Sequence, residues 1–356
     1  MSFTRPLRNR LGAGGVLAVS LFASAAVMAQ EPDRSVLVLT STNDASANSV
    51  VVFKLDTVGT ASLSLSATVP TGGTGGAGGN AGILQFKDDV GAVANYGSNT
   101  VSRLARHDDS ITTAGSFKLA SGCAQPDSVA LQHEHVFVVG ANCAESHWWA
   151  SGSTDGVVKL ADSSAGQIAA GRTWAAVTLK SGSVLQLPLS RDGALNGTTA
   201  PVSLPATAND TPLGAEFWGD TLGFTPAHSP DSFAIVNRDR NVFPIAGPTP
   251  PFPTNAPCWV AKGPGNVWYT GNSPGHAISI FFTDDQGGVF YKSVSLPGVP
   301  TDITVSRDNK WLAVIYTAAN NGYVAVFSID SYGGLTQVAT SSPIGVASFN
   351  GVAISE

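Results

Sequence analysis

The chain comprises 356 residues, 43% hydrophobic and only 12% charged, with a formal net charge of −6. Its lysines and arginines are scattered singly, so there is no basic patch, and nucleic acid and anionic membrane surfaces are excluded as partners. Beyond residue 29 no apolar run reaches the roughly eighteen residues of a spanning helix, so no membrane insertion of the mature chain is expected.

Residues 1–29 read as a signal peptide. Arg5, Arg8 and Arg10 form a basic start, Leu11 to Met28 an apolar small-residue stretch, and Val27-Met28-Ala29 a cleavage site. An uncleaved anchor is the alternative, but Gly12, Gly14, Gly15 and two serines interrupt its core. Export to the periplasm or the extracellular space is therefore expected, and cleavage takes the net charge to −9.

In chain order, residues 34–43, 48–55 and 61–70 read as three strands of a unit that lacks a first one. The run Gly72 to Gly79 has no lysine and no following helix pattern, so it reads as a flexible loop rather than a phosphate cradle. A unit of loop, apolar strand, polar turn and β-branched strand then recurs at 81–119, 126–142, 173–195, 223–245, 256–296 and 300–340. First strands are expected near 83, 128, 175, 223, 259, 303 and 352, a period of 36 to 49 residues without helical periodicity. The final residues, GVAISE (351–356), make a strand without a following partner. Pairing it with residues near 35–41 completes the first unit and closes a ring without an exposed edge. The expected fold is all-β, a single seven-bladed β-propeller of four-stranded antiparallel blades over residues 30–356, and a monomer. A sandwich of irregular strands does not account for the shared blade.

The repeat SRDNKWLAVIYTAANNGYVAVFSID (306–330) resembles the unit of lactonase-like and YVTN-type seven-bladed propellers. Residues 255–272 and 299–314 are similar to consecutive blades of that bacterial group, and 70–82 to the lead into its first full blade. The resemblance covers nearly the whole mature chain, but its motifs are structural. It implies either a binding propeller or an enzyme that hydrolyses or cyclises lactone-type substrates, and fold alone does not choose.

Three cysteines allow one internal disulfide. Cys123 precedes a first strand and Cys143 follows a second, placing both at one blade end, so they are expected to pair while Cys258 stays reduced and buried. No metal-ligand spacing or nucleotide motif occurs, and no cofactor is expected.

In a propeller blade, the connection into the first strand and the loop between second and third strands share one face. The first-to-second turn lies on the other. His133, Glu134 and His135 read as such a turn, away from any ligand. Residues 141–156 read as a long second-to-third loop on the loop-rich face, carrying Glu145, His147, Trp148 and Trp149. Neighbouring loops add Arg172, Trp174, Lys180, Glu216, Trp218, Arg238, Arg240, Tyr269, His276 and Asp302. Two readings follow. One is a propeller that binds a small ligand or a protein partner on this face, with Trp148 and Trp149 as apolar wall and Arg238 and Arg240 as cations. The other is a lactonase-like hydrolase or muconate-type cyclase using His147, Glu145, Glu216 and Arg172 on an anionic lactone. In a third, bland reading, His147 caps a loop and the tryptophans pack it.

Overall fold

The computed structural model describes residues 34–356 apart from 230, 247–255, 285–286 and 346–347. The signal peptide expected over 1–29 lies outside the described residues. Seven four-stranded antiparallel sheets are present. Blade 1 is Val36–Ser41, Ser49–Asp56 and Ser62–Pro70, completed on its inner side by Asn350–Ser355 from the C-terminus. That strand pairs in register Leu37↔Ser355, Val38↔Ile354 and Thr40↔Val352, as the unpaired ends of the sequence predict. The inner strands of blades 2 to 7 are Leu84–Lys87, Ser128–Gln132, Ala165–Ala170, Pro212–Trp218, Pro257–Lys262 and Val299–Val305. Each contacts the inner strands of its two neighbours, so the ring is closed.

Each blade packs on both faces, which explains why its second strand is buried almost without interruption, while outer strands such as Ser62–Pro70 are largely exposed. Leu37 and Leu39 face blade 2, packing on Leu84 and Val93. Val38, between them, faces blade 7, packing near Ile315 and Val324. The period of two thus divides one strand between two interfaces. Among the described residues the apolar core is seven separate clusters, one for each blade interface. Buried hydroxyls stitch neighbouring blades. Thr178 Oγ1 donates to the Leu213 carbonyl at 2.6 Å, and Thr225 Oγ1, at the same strand position, to that of Cys258 at 3.1 Å. Gly351, at φ +79°, lies so close to Ile83 and Leu84 that a Cβ would come within 2.8–2.9 Å of them.

In blades 4 and 5 the expected first strands, near 175 and 223, are the second strands Trp174–Leu179 and Thr221–Pro226. The true inner strands are AGQIAA (165–170) and PLGAEFW (212–218). Neither segment alternates apolar with polar residues, so neither carries the pattern by which a strand is recognised. In blade 3, residues 141–156 are not one long loop: Cys143–Trp148 is the third strand and Thr154–Lys159 the outer one. Connections alternate between faces, so a slip of one strand moves a residue to the opposite face. The Gly72–Gly79 segment is held in place rather than flexible. Asn43 Oδ1 accepts the N–H groups of Gly76 and Ala77, and Asn43 Nδ2 donates to the Ala77 carbonyl.

Cys123 and Cys143 form the expected disulfide, with Cα atoms 5.6 Å apart. Cys258 is free, but half-buried instead of buried, because it sits at the channel end of its strand.

Candidate functional site

The channel widens into a cavity at each end. On the face bearing the first-to-second turns, the turn face, a cavity of about 480 Å³ is walled by inner strands, among them Phe86, Gln132, Gln167, Arg172, Glu216 and Asp302. At the opposite, loop face, a cavity of about 550 Å³ is mainly apolar, lined by Leu213, Trp259 and Phe349 with Gly76 and Gly79 at its rim.

The turn-face cavity holds the unusual electrostatics. Burial pushes the Glu216 carboxyl up to about 7, aided by the charge of Asp302 and opposed by a bond from the Lys262 N–H and the Lys262 charge. The Glu216 side chain is open to the cavity yet enclosed by protein. Burial likewise pushes Asp302 up to about 7, although it accepts the N–H groups of Ile303, Val352 and Gly82. Those three donors lie on blade 7, on the C-terminal strand and in the lead into blade 2. Asp302 is thus both a channel group and the tie across the ring closure. Desolvation outweighs the N–H bonds at both carboxyls: Asp302 is buried, and Glu216 is half-buried in the cavity wall.

The cations are arranged around the carboxylates rather than on them. Lys262 Nζ donates to the carbonyls of Gly263 and Gly265, each at 2.6 Å, and lies over the rings of Trp218 and Trp268. Burial pushes it down to about 8. Lys87 donates to Gln132, and burial together with Arg307 lowers its pKa. Arg172 lines the cavity with its side chain 72% exposed, 3.8 Å from Asp220. The cavity therefore has an acidic interior and a cationic rim.

Of the expected catalytic residues, Glu216 and Arg172 meet in this cavity. Glu145 and His147 do not. They sit two apart on the third strand of blade 3, on the side facing blade 2. His147 Nε2 bonds Glu145 Oε2 at 2.8 Å, and the imidazole stacks on Phe117 with ring centres 4.1 Å apart. Glu145 also accepts the Ala120 N–H at 3.0 Å, and both side chains are 1% exposed or less. This buried pair ties two blades and does not reach the channel.

The expected wall and cation residues lie on the turn face, not the loop face, and outside the cavity. Trp148 packs on His135, ring centres 4.3 Å apart, and Trp149 Nε1 donates to the Gly91 carbonyl at 3.0 Å. Arg240 donates to the carbonyls of Ala200 and Pro201, both at 2.7 Å. Arg238 is exposed in the same third-to-outer loop. Physically, each was displaced by a strand missed or slipped in blades 3 to 5. The expected turn at His133 and Glu134 is present. His135 begins the second strand, where its Nε2 bonds Asp155 at 2.7 Å. Sequence reasoning passed over Lys87, Gln132 and Lys262. Their signal was position alone, at the turn-face ends of inner strands.

The fold and this cavity define a seven-bladed β-propeller with a polar central channel. No protein-family model matches the sequence, and no curated protein matches it. Among solved structures, it is similar to a protein from Lactobacillus plantarum at 12% identity, covering 91% of this chain and 100% of that one, with a TM-score of 0.67. AztD from Citrobacter koseri is similar at 12% identity over 90% of this chain and 98% of that one, TM-score 0.59. Streptogramin B lyase is similar at 16% identity over 74% and 84%, TM-score 0.57. At these identities the likeness is one of fold.

Proposed function

We propose that the protein is an exported ligand-binding propeller that takes a small dipolar amine into the turn-face cavity. Its ammonium faces Glu216, and its anionic or strongly accepting end faces Arg172 and Lys87. The observation that carries this reading is a pair of carboxyls, Glu216 and Asp302, lining one cavity while the nearby Lys262 ammonium is bonded elsewhere. A cavity of about 480 Å³ is within the range of small-molecule sites. A bound ammonium would ionise the carboxyl that burial otherwise keeps protonated. The basic and apolar character of residues 1–29 and the Cys123–Cys143 disulfide support export to an oxidising compartment.

The resemblance to lactonase-like and YVTN propellers is consistent with this reading but selects no ligand. The hydrolase alternative needs His147 beside the substrate, and its imidazole is sealed between blades. A thermal-shift panel of amino acids, amino alcohols, simple amines and lactones at pH 8 tests the proposal. Dipolar amines should raise the wild-type melting temperature and leave Glu216→Gln unmoved. Stabilisation by uncharged lactones alone, or turnover of them, would overturn it.

A further inference from the structure

The second chemical cluster lies at the edge of blade 3, away from the channel. Cys123, Cys143 and Glu145 place their sulfurs and one carboxylate oxygen within 4.8 Å of one another. Glu145 is buried, with Oε2 taken by His147 and Ala120, while Oε1 has no hydrogen-bond partner. An unpartnered carboxylate oxygen in a protein interior costs about 1–3 kcal/mol or more, so something should offset it in another state of the molecule. Lys159 Nζ lies 3.2 Å from Cys143 Sγ and 3.5 Å from Cys123 Sγ, and Lys159 is itself exposed. An ammonium so placed stabilises a thiolate.

We propose that Cys123, Cys143 and Glu145 form a latent site for a zinc-like divalent metal ion, opened when an external dithiol reduces the disulfide. Cys123 is the more exposed sulfur position, 6% against 1% for Cys143, and is flanked by the exposed Ser121 and Gly122. The incoming thiolate therefore attacks Cys123 Sγ, forming a mixed disulfide and expelling the Cys143 thiolate beside the Lys159 ammonium. The second thiol of the reductant then displaces Cys123 as a thiol and leaves as its own disulfide. The reductant loses two electrons and the protein gains them. The metal binds both sulfurs as thiolates, releasing the proton that Cys123 holds, and takes Glu145 as its third ligand. Rotation of the two cysteine side chains separates the sulfurs to tetrahedral spacing, and a water fills the fourth position. His147, bonded to Glu145 Oε2, holds the carboxylate in orientation, as outer-shell partners of metal ligands do. Lys159 moves out to solvent as the metal supplies the positive charge.

The test uses full-length mature protein carrying Cys258→Ser, so that these are its two cysteines. It is reduced with a phosphine and titrated with Co²⁺ without oxygen. The expected result is a thiolate-to-cobalt charge-transfer band saturating at one ion per chain, bleached by Zn²⁺ and absent from the oxidised protein. Glu145→Gln should weaken cobalt binding at least about tenfold. Reduced, folded protein without the band would overturn the proposal, as would a band that Glu145→Gln leaves unchanged. Reduced protein that unfolds and is not refolded by Co²⁺ would overturn it too, because metal bound only by the folded chain drives folding.

Discussion

Glu145 and His147 show how one pair of residues changes meaning with its surroundings. In the sequence they are a carboxylate and an imidazole beside two tryptophans. In the fold they are 2.8 Å apart and sealed against Phe117. His147→Ala removes the partner of a buried carboxylate, so chemical denaturation should show a loss of about 3 kcal/mol. Unchanged stability would mean that the imidazole is not structural. Glu216 behaves in the opposite manner. Its pKa is raised from 4.5 to about 7 in the folded chain. Between those values the native state holds a proton that the unfolded state has released, so stability falls as pH rises from about 4.5 to 7. Thermal melts should give a higher transition at pH 5 than at pH 8, and Glu216→Gln should remove much of that difference, on the order of 2–3 kcal/mol. Asp302, raised from 3.8 to about 7, adds to the slope with the same sign.

At the level of the element, the strands legible in the sequence were those with β-branched alternation and a clear turn. Trp311–Ala318 and Asn321–Ile329 are examples, separated by Ala319 and Asn320 at positive φ. The inner strand Ala165–Ala170 has one β-branched residue and no alternation of apolar with polar residues. Cys143–Trp148 carries Glu, Ser and His in its middle; Glu145 and His147 are buried against blade 2, and Ser146 against blade 4, where its Oγ accepts the Leu195 N–H. Together with the inner strand Pro212–Trp218, likewise missed in blade 5, these omissions explain the site residues assigned to the loop face, since each shifts the chain by one connection. Glu216, expected in a loop of the loop-rich face, stands instead in the inner strand Pro212–Trp218, and that position brings it into the turn-face cavity. The Cys123–Cys143 link was legible because both cysteines lie at one blade end whichever strand is counted. Reducing it should cost about 3 kcal/mol for a separation of 20 residues, measured as the shift in urea midpoint with and without a phosphine.

For the whole molecule, stability is divided among seven blade interfaces, and the ring is held by the C-terminal strand at the closing one. Removing residues 350–356 would expose Leu37 and Leu39 and leave blade 1 without its inner strand. Such a chain should lose its cooperative melting transition, whereas retention of one would show that closure is dispensable. The same closure brings the N–H groups of Val352 and Gly82 to Asp302, so ring closure and the turn-face cavity share one set of bonds. In the function proposed, an ionised Glu216 receives an ammonium inside the turn-face cavity. Calorimetric titration of free amino acids and amino alcohols between pH 5 and 8 tests it directly. Affinity for the tightest of them should rise roughly tenfold per pH unit until about 7 and then level, as the carboxyl ionises. Glu216→Gln should bind weakly at every pH. Wild-type affinity that stays flat across this range, or that Glu216→Gln leaves intact, would contradict it.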